Sequence, residues 1–262
     1  GNDGTDNPEN GDIVRLNPDT TTNTTYNAAS HPKGDGLYRG GYDNISYDAI
    51  GKNVVTVGST SDAVTGTQRD LAMALVSDFS SWGPTDDGRI KPDLVANGDK
   101  LDSSVANDPS GLPSNTAYDI YEGTSMATPS AAGSAALLVQ LYGQLFPGAA
   151  LRASTLKALL LHTADDLGTA GPDYRNGWGL INVKAAADLL RDHAANPLKL
   201  RVNEARLDTA ITTLTHEFIW DGVSPIRATL CWTDPAGTST TGADSRTARL
   251  RNNLDLKITG PT

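Results

Sequence analysis

One serine of the chain has the sequence features of a nucleophile. Ser125 lies in the run GTSMATP (residues 123–129), two residues after a glycine and at the predicted start of a helix. A helix start presents unpaired N–H groups and the positive end of the helix dipole, which suit a developing oxyanion. Gly123 allows another part of the chain to approach closely. With a base nearby, the Ser125 hydroxyl could act as a nucleophile. The alternative is that Ser125 is only a helix N-cap.

The run around Ser125 resembles the nucleophile motif of the subtilases, the subtilisin-like serine proteases of peptidase family S8, at all seven positions. Three other segments resemble subtilase segments in the family's order: GNDG at residues 1–4, residues 79–96, and GWGLIN at residues 177–182. The resemblance covers residues 1–195 except for a polar insertion before Asn53. Several segments in the right order are more specific than one short motif.

The resemblance implies a role for each of five residues. Ser125 would attack a peptide carbonyl, and the Asn2 side-chain amide together with the Ser125 N–H would hold the oxyanion. Gly1, Gly123 and Thr124 would line the substrate-binding site. Without Ser125 downstream, Asn2 would be interpreted as a turn residue in a glycine-rich loop. The implied activity is that of a serine endopeptidase, with a protein or peptide as substrate and no required cofactor.

A subtilase also needs a catalytic Asp and a catalytic His, and neither of their motifs occurs in this sequence. None of the four histidines has the sequence context of the base; they are His31, His162, His193 and His216. In subtilases both residues precede the oxyanion Asn, so we expect them upstream of Gly1, in an N-terminal half of the same domain. This chain alone is then expected to be inactive, because loss of the base costs subtilisin roughly a million-fold in turnover.

Two other hypotheses stay open. The chain could be a catalytically inactive subtilase-derived fragment that serves as a binding or assembly module. The intact GTSMATP run and Asn2 argue against a loss of activity by sequence drift. Alternatively, its C-terminal part could bind a partner or a carbohydrate, for which Asp234 and Asp244 in Gly/Thr-rich loops are a weak indication.

The strands that must position these residues can be recognised from composition. The β-branched run at residues 54–58 ends in glycine and predicts a buried strand. Residues 90–96 predict a second strand, which we place near a sheet edge because it contains Pro92.

Three helices are predicted from the helical spacing of apolar residues, over residues 125–145, 152–163 and 183–192. Asn182 is a good N-cap for the last of them. The small residues in the early turns of the first helix indicate that close neighbours bury it. Pro129 is expected in its first turn, where N–H groups have no intrahelical acceptor.

Beyond the third helix the pattern changes to alternating apolar and polar residues. Residues 228–232 and 254–258 predict strands of an antiparallel sheet, with the single cysteine, Cys231, buried in the first of them. The predicted fold class is therefore α/β: the C-terminal half of a parallel-sheet subtilisin-like domain over residues 1–195. A truncated antiparallel β-sandwich module, jelly-roll-like, is predicted over residues 196–262.

Charge and composition limit the classes of partner. The 262 residues include 31 acidic and 21 basic side chains, for a net charge of -10. Such a surface repels phosphate backbones, so we expect no nucleic acid as partner. No apolar run reaches the length of a membrane span, so we expect no membrane either. One cysteine excludes an intrachain disulfide and leaves the compartment open; the family resemblance implies a secreted or cell-envelope protein.

An acidic run near the N-terminus and two glycosylation patterns are weaker indications of function. Subtilases often bind a structural calcium ion, and Asp3, Asp6, Glu9 and Asp12 offer oxygen ligands, but their spacing does not fit an EF-hand loop. We therefore favour a solvated acidic loop and assign no metal ligand. Residues 23–25 and 44–46 fit the Asn-x-Ser/Thr glycosylation pattern, which is a frequent coincidence in Asn/Thr-rich segments.

Overall fold

The computed structural model describes residues 1–5, 10–14, 23–27, 29–30, 44–85, 87–199, 201–238 and 247–260. The strands within them are β1 (Ile13–Val14), β2 (Thr24–Thr25), β3 (Val57–Thr60), β4 (Val64–Thr65), β5 (Gln68–Arg69), β6 (Leu94–Asn97), β7 (Leu101–Ser104) and β8 (Tyr118–Tyr121). The helices are α1 (Thr124–Leu145), α2 (Ala153–His162) and α3 (Val183–Ala195), with short 3-10 turns at Asp3–Thr5 and Leu71–Met73. The pairs β1–β2, β4–β5 and β7–β8 are antiparallel.

The parallel pair β3–β6 lies at the centre of the fold. Its register runs from Val57 opposite Leu94 to Thr60 opposite Asn97. All four residues of β3 are buried, and so are the first three residues of β6. Burial on both faces is typical of a parallel sheet covered by helices. The first strand predicted from the sequence therefore exists, but it lies over Val57–Thr60 rather than residues 54–58.

Strand β6 is not the edge strand that the sequence predicted. It pairs with β3, and Val95 also forms a parallel bridge with Leu180. Within this bridge the Val95 N–H donates to the Gly179 carbonyl and the Ile181 N–H donates to the Val95 carbonyl, both at 3.0 Å. The prediction was wrong because Pro92 lies before the first ladder residue, where its missing N–H removes no sheet hydrogen bond.

Helix α1 packs one face against β3, β6 and α3. Ala127, Ala131 and Leu138 are buried on that face. Leu137 and Val139, in contrast, are 60% and 47% exposed. The expectation that close neighbours bury the helix therefore holds for one face only among the described residues.

Pro129 lies deeper in α1 than the sequence indicated. The helix begins at Thr124, so Pro129 is its sixth residue, counted from Thr124, and belongs to the second turn. An amide at this position would normally donate to the carbonyl four residues earlier, that of Ser125. Proline has no N–H, so this carbonyl lacks its regular helical donor. The prediction that Pro129 lies in the first turn was wrong.

The other two helices match their predictions closely at the N-terminal end. The Asn182 side chain accepts a hydrogen bond from the Ala185 N–H at 2.9 Å and caps α3, which extends three residues beyond the predicted end. Gly179, in the turn before it, has φ +112°, and a Cβ there would lie 2.1 Å from the Asp165 carbonyl oxygen. Glycine is required at this turn. Within the described residues, no helix is both long and apolar enough to cross a membrane.

The C-terminal part differs from its prediction. Neither residues 201–238 nor residues 247–260 contain a helix or strand, so the strands predicted over residues 228–232 and 254–258 are not formed in the described part of the chain. An extended segment becomes a strand only when a neighbour pairs with its backbone. Cys231 is accordingly half-buried rather than enclosed in a sheet, and burial raises the pKa of its thiol.

Two residues of the N-terminal part attach this C-terminal segment to the α/β fold. The Lys52 ammonium donates to the Trp232 carbonyl at 3.0 Å and lies 4.0 Å from the centre of the Trp232 ring. The Asn53 amide donates to the Asp234 carbonyl at 2.9 Å and accepts from the Asp234 N–H at 3.1 Å. Contact with the α/β fold therefore does not depend on a second sheet.

Candidate active site

The start of α1 is fixed by close contact with the residue that follows β6. The Gly123 N–H donates to the Gly98 carbonyl at 2.8 Å. A Cβ on Gly98 would lie 2.6 Å from the Gly123 carbonyl oxygen and 2.9 Å from the Ala127 Cβ. The carboxyl end of the parallel strand thereby determines where the helix, and with it Ser125, begins.

Gly123 is the N-cap residue of α1 and must be glycine for two reasons. Its φ of +145° lies in the region that favours glycine. A Cβ at this position would also lie 3.2 Å from the Asn2 Nδ2, tight enough to displace that amide. The absence of a side chain therefore allows the Asn2 amide to approach the helix start.

The Asn2 side chain reaches the first residue of α1. Its Oδ1 accepts hydrogen bonds from the Thr124 N–H at 2.9 Å and from the Thr124 hydroxyl at 2.7 Å. Thr124 is only 7% exposed, whereas Asn2 is exposed, so these bonds are partly buried. Because the amide oxygen is held by two donors, the orientation of Nδ2 is fixed as well. Within the described residues, Nδ2 donates to no acceptor.

Ser125 is exposed, and a Cβ built on Gly123 would lie 3.7 Å from the Ser125 N and 3.2 Å from the Asn2 Nδ2, so both groups border Gly123. The next two helical N–H groups, those of Met126 and Ala127, both donate to the Gly123 carbonyl, at 2.9 and 3.2 Å. The Ser125 N–H has no acceptor among the described residues. A hydroxyl, a backbone N–H and a side-chain amide N–H are therefore available at one helix start.

The loop that carries Asn2 is held by the segment at residues 79–82. The Gly4 N–H donates to the Phe79 carbonyl at 2.9 Å, and the Ser81 N–H donates to the Gly1 carbonyl at 3.0 Å. Gly1, which the resemblance assigned to the substrate site, is thus exposed but tied through its carbonyl. The Asp3 N–H donates to the Ser81 hydroxyl at 3.2 Å. The backbones of Gly1, Asp3 and Gly4, on both sides of Asn2, are positioned by these contacts.

Two residues of this arrangement were missed by the sequence analysis. Ser81 and Asn44 both hydrogen-bond to Asp3, the neighbour of Asn2. Ser81 lies in the family-like segment at residues 79–96, which assigned it no such role, and Asn44 lies outside every such segment. Asn44 was noticed only for its glycosylation pattern, and its side chain is 1% exposed.

None of the described histidines hydrogen-bonds to Ser125. His162 ends α2, and its Nδ1 lies 3.0 Å from the Thr229 hydroxyl. Burial, and secondarily the charge of Arg227, lower the pKa of His162. Two further histidines, His193 and His216, contact the Phe146 ring and the Asn203 amide, respectively. His31 lies outside the described residues.

The acidic residues considered for calcium are only partly described. Asp6 and Glu9 lie outside the described residues, and the Asp3 carboxylate accepts a hydrogen bond from the Ser81 hydroxyl at 3.1 Å. In the described part of the chain, no group of three or more His, Cys, Asp or Glu side chains is placed to hold a metal ion. A calcium site therefore stays a prediction.

This geometry fits acyl transfer. An exposed hydroxyl lies at a helix N-terminus, where the dipole favours negative charge, and beside it lie two N–H donors for which the described residues offer no acceptor. Acyl transfer requires a nucleophile and preorganised donors for the oxyanion. The described residues supply both, while the general base is not among the partners of Ser125.

Comparison with known families gives an independent assignment. A family model described as "Subtilase family" matches residues 10–179. The matched range includes Ser125 and the whole parallel pair β3–β6. This chain therefore belongs to the subtilase family and has its α/β fold. Asn2 precedes the matched range, so the interpretation of Asn2 depends on the contacts described above.

The chain is similar to several curated proteases. It is 30% identical over 202 residues to the serine protease/ABC transporter B family protein tagA of Dictyostelium discoideum, covering 69% of this chain and 11% of that protein. It is 31% identical over 152 residues to the C5a peptidase of Streptococcus pyogenes, covering 54% of this chain and 12% of that protein. The chain thus spans about a tenth of the length of these relatives.

Solved structures show a partial overlap. The CspB protease of Clostridium perfringens matches 60% of this chain and 31% of its own chain, with 26% identity and a TM-score of 0.47. Fervidolysin from Fervidobacterium pennivorans matches 54% of this chain and 20% of its own, with 28% identity and a TM-score of 0.38.

Proposed function

We propose that the protein is a serine endopeptidase that hydrolyses peptide bonds through an acyl-enzyme on Ser125. One observation carries this proposal: the Asn2 amide is fixed at the start of α1, near the exposed Ser125, and within the described part of the chain neither its Nδ2 nor the Ser125 N–H has an acceptor. Membership in the subtilase family supports the same activity.

In the proposed reaction, the Ser125 Oγ attacks the peptide carbonyl and forms a tetrahedral intermediate. The Asn2 Nδ2 and the Ser125 N–H donate to its oxyanion. Collapse of the intermediate releases the amine, and water then hydrolyses the ester. The catalytic His and Asp are proposed to come from a part of the protein that precedes Gly1, since the family orders its residues in this way. Gly123 and Thr124 would border the bound peptide.

Several further assignments belong to this proposal. Residues 1–195 would form the C-terminal half of the catalytic domain, and residues 196–262 would belong to a β-sandwich module. The protein would be secreted or located in the cell envelope, without nucleic acid or membrane as partner. Calcium would be a structural ion only.

Labelling by a fluorophosphonate tests the proposal directly. In the full-length protein we expect the probe to modify Ser125, identified by mass spectrometry of the labelled peptide, and we expect cleavage of an unstructured protein such as casein. The 262-residue chain alone should show neither reaction, because the motifs of the catalytic Asp and His do not occur in its sequence and the Ser125 hydroxyl would lack its general base. Labelling of another serine, or full-length protein that leaves casein intact, would favour the inactive binding module.

The Thr124 hydroxyl provides a finer prediction. Thr124→Val keeps the shape of the side chain and removes the 2.7 Å bond to the Asn2 Oδ1, while the 2.9 Å bond from the N–H remains. We expect kcat for a peptide anilide to fall by about 2- to 10-fold, the value of one such hydrogen bond of about 0.5–1.5 kcal/mol. Thr124→Ser, which keeps the hydroxyl, should retain most of kcat. An equal loss in both variants would contradict this explanation.

A further inference from the structure

We propose that Asn44 is a positioning residue for the oxyanion donor Asn2. This inference rests on the proposed function, because it assigns Asn44 to the support of the same site. Asn44 lies 42 positions from Asn2 in the sequence, outside every motif that resembles the family, and its side chain is almost fully buried at 1% exposure.

The amide of Asn44 bridges two segments that meet at the Asn2 loop. Its Nδ2 donates to the Asp3 carbonyl at 2.9 Å. Its Oδ1 accepts from the Trp82 N–H at 2.5 Å, and its own backbone N–H donates to the Trp82 carbonyl at 3.1 Å. The Asp3 carbonyl belongs to the peptide one residue beyond Asn2. Asn44 therefore ties the backbone next to Asn2 to residue 82.

The other supports of the loop cannot replace this contact. The bonds from Ser81 reach the Gly1 carbonyl, the Asp3 N–H and the Asp3 carboxylate, and the bond to Phe79 uses the Gly4 N–H. Among the described residues, only Asn44 donates to the Asp3 carbonyl. In a variant whose side chain at position 44 offers no donor, the Asp3 carbonyl would lose this hydrogen bond. Leaving an acceptor without a donor costs free energy.

Only a side chain with both a donor and an acceptor at this reach can make the bridge. Asparagine supplies both on one rigid amide, whereas aspartate keeps the acceptor for Trp82 but loses the donor for Asp3. Leucine has a similar size and loses both. The burial of Asn44 makes it inaccessible to a glycosylating enzyme in the folded protein.

Consequently, Asn44 should affect the chemical step through Asn2 and not the binding of substrate. A displacement of about 1 Å at a catalytic group can cost up to roughly 100-fold in rate. In full-length protein we expect Asn44→Leu to lower kcat for a peptide anilide by about 10- to 100-fold, with KM changed by less than about 2-fold. Asn44→Asp should lower kcat in the same direction, and it carries the test if the leucine variant does not fold.

A double-mutant cycle separates positioning from a general structural role. Asn2→Ala alone should lower kcat by ~10²–10³, the loss measured for the corresponding donor in subtilisin. This still leaves activity above that of a protein without its nucleophile. If Asn44 acts through Asn2, adding Asn44→Leu to Asn2→Ala should change kcat by less than about 2-fold.

Asn182→Leu is the matched control. Asn182 is also an amide that uses both ends, accepting from the Ala185 N–H and donating to the Asp165 carboxylate, but neither partner belongs to the Asn2 loop. Asn182→Leu should reduce the free energy of unfolding with little change in kcat.

An unchanged kcat in Asn44→Leu, or the same fold-loss of kcat with and without the Asn2 side chain, would overturn the inference. If wild-type protein cleaves no peptide, or Ser125→Ala cleaves as well as wild type, the proposed function itself fails.

Discussion

Replacing Ser125 by alanine in the full-length protein is expected to lower kcat by about a million-fold, the loss that removal of the nucleophile causes in subtilisin. The substitution removes only the exposed hydroxyl oxygen. The two N–H donors at the helix start and the Asn2 contacts with Thr124 use other atoms, so substrate binding should persist and KM should change little. Initial rates on a peptide anilide, with the wild-type protein in parallel, measure both constants.

Ser130→Ala is the control for Ser125→Ala. Ser130 is also an exposed serine of α1 and follows Pro129 in the helix. Ser130→Ala therefore makes the same serine-to-alanine change at a position away from the oxyanion donors. We expect wild-type kcat and wild-type fluorophosphonate labelling. Substantial hydrolysis by purified Ser125→Ala protein, or loss of activity in Ser130→Ala of comparable size, would refute Ser125 as the nucleophile.

The part of the site that could be predicted from the sequence is the part that depends on local chemistry. A glycine before a helix start and a serine beside it can be recognised in seven consecutive residues, and the structure has the helix begin one residue from the predicted position. The same holds for Asn182, because a cap acts on its own helix. Subtilase membership was likewise predicted from GTSMATP and is confirmed.

The supporting contacts could not be predicted, because their partners are far apart in sequence. Asn44 meets Asp3 across 41 residues and Trp82 across 38, and no periodicity encodes such a pairing. Predictions of properties that depend on neighbouring segments were wrong for the same reason. Pro92 indicated an edge strand, yet the sheet position of β6 is decided by Leu180, which bridges Val95 from the far side.

The largest predicted effect on stability comes from Asp93, a buried carboxylate between two ammonium groups. Its Oδ2 lies 2.5 Å from the Lys91 Nζ and its Oδ1 lies 2.8 Å from the Lys157 Nζ. The Thr56 N–H also donates to Oδ2 at 2.8 Å. The three charged side chains are 5%, 3% and 11% exposed, respectively. The cluster joins α2 to the residue before β6, and one carboxylate compensates two cations.

Asp93→Asn is therefore expected to reduce the free energy of unfolding by about 3–5 kcal/mol at neutral pH, the cost of leaving buried charges without a counter-ion. Both ammonium groups keep their hydrogen bonds to the Val54 carbonyl. Urea titrations followed by tryptophan fluorescence measure this value. Thr56 can still donate to the amide oxygen, so the loss reports mainly on the two ammonium groups. A loss of that size is a large fraction of the stability of an ordinary domain, about 5–15 kcal/mol.

The pH dependence of this variant distinguishes a charge effect from a packing effect. Burial lowers the pKa of Lys91 below its ordinary value of 10.5, and Asp93 opposes that shift. Without Asp93 the pKa of Lys91 should fall further. The unfolded chain then binds more protons than the native protein, so stability rises with pH toward the ordinary lysine pKa. The deficit of Asp93→Asn should consequently be smaller at about pH 9.5 than at about pH 7.

Asp188→Asn supplies the matched comparison. Asp188 also contacts two cations, Lys184 at 2.6 Å and Arg191 at 3.1 Å, but this cluster lies on the exposed surface of α3. Ion pairs in water contribute little, since solvent screens the charges and the long side chains lose freedom. Asp188→Asn should thus leave the unfolding curve nearly unchanged at both pH values. If Asp93→Asn left the unfolding curve equally unchanged, or if its deficit did not shrink as the pH rises, Lys91 would not depend on Asp93 for its charge. In that case the attachment of α2 to β6 would come from apolar packing around Leu159 and Leu160, which belong to the same buried core as Leu94.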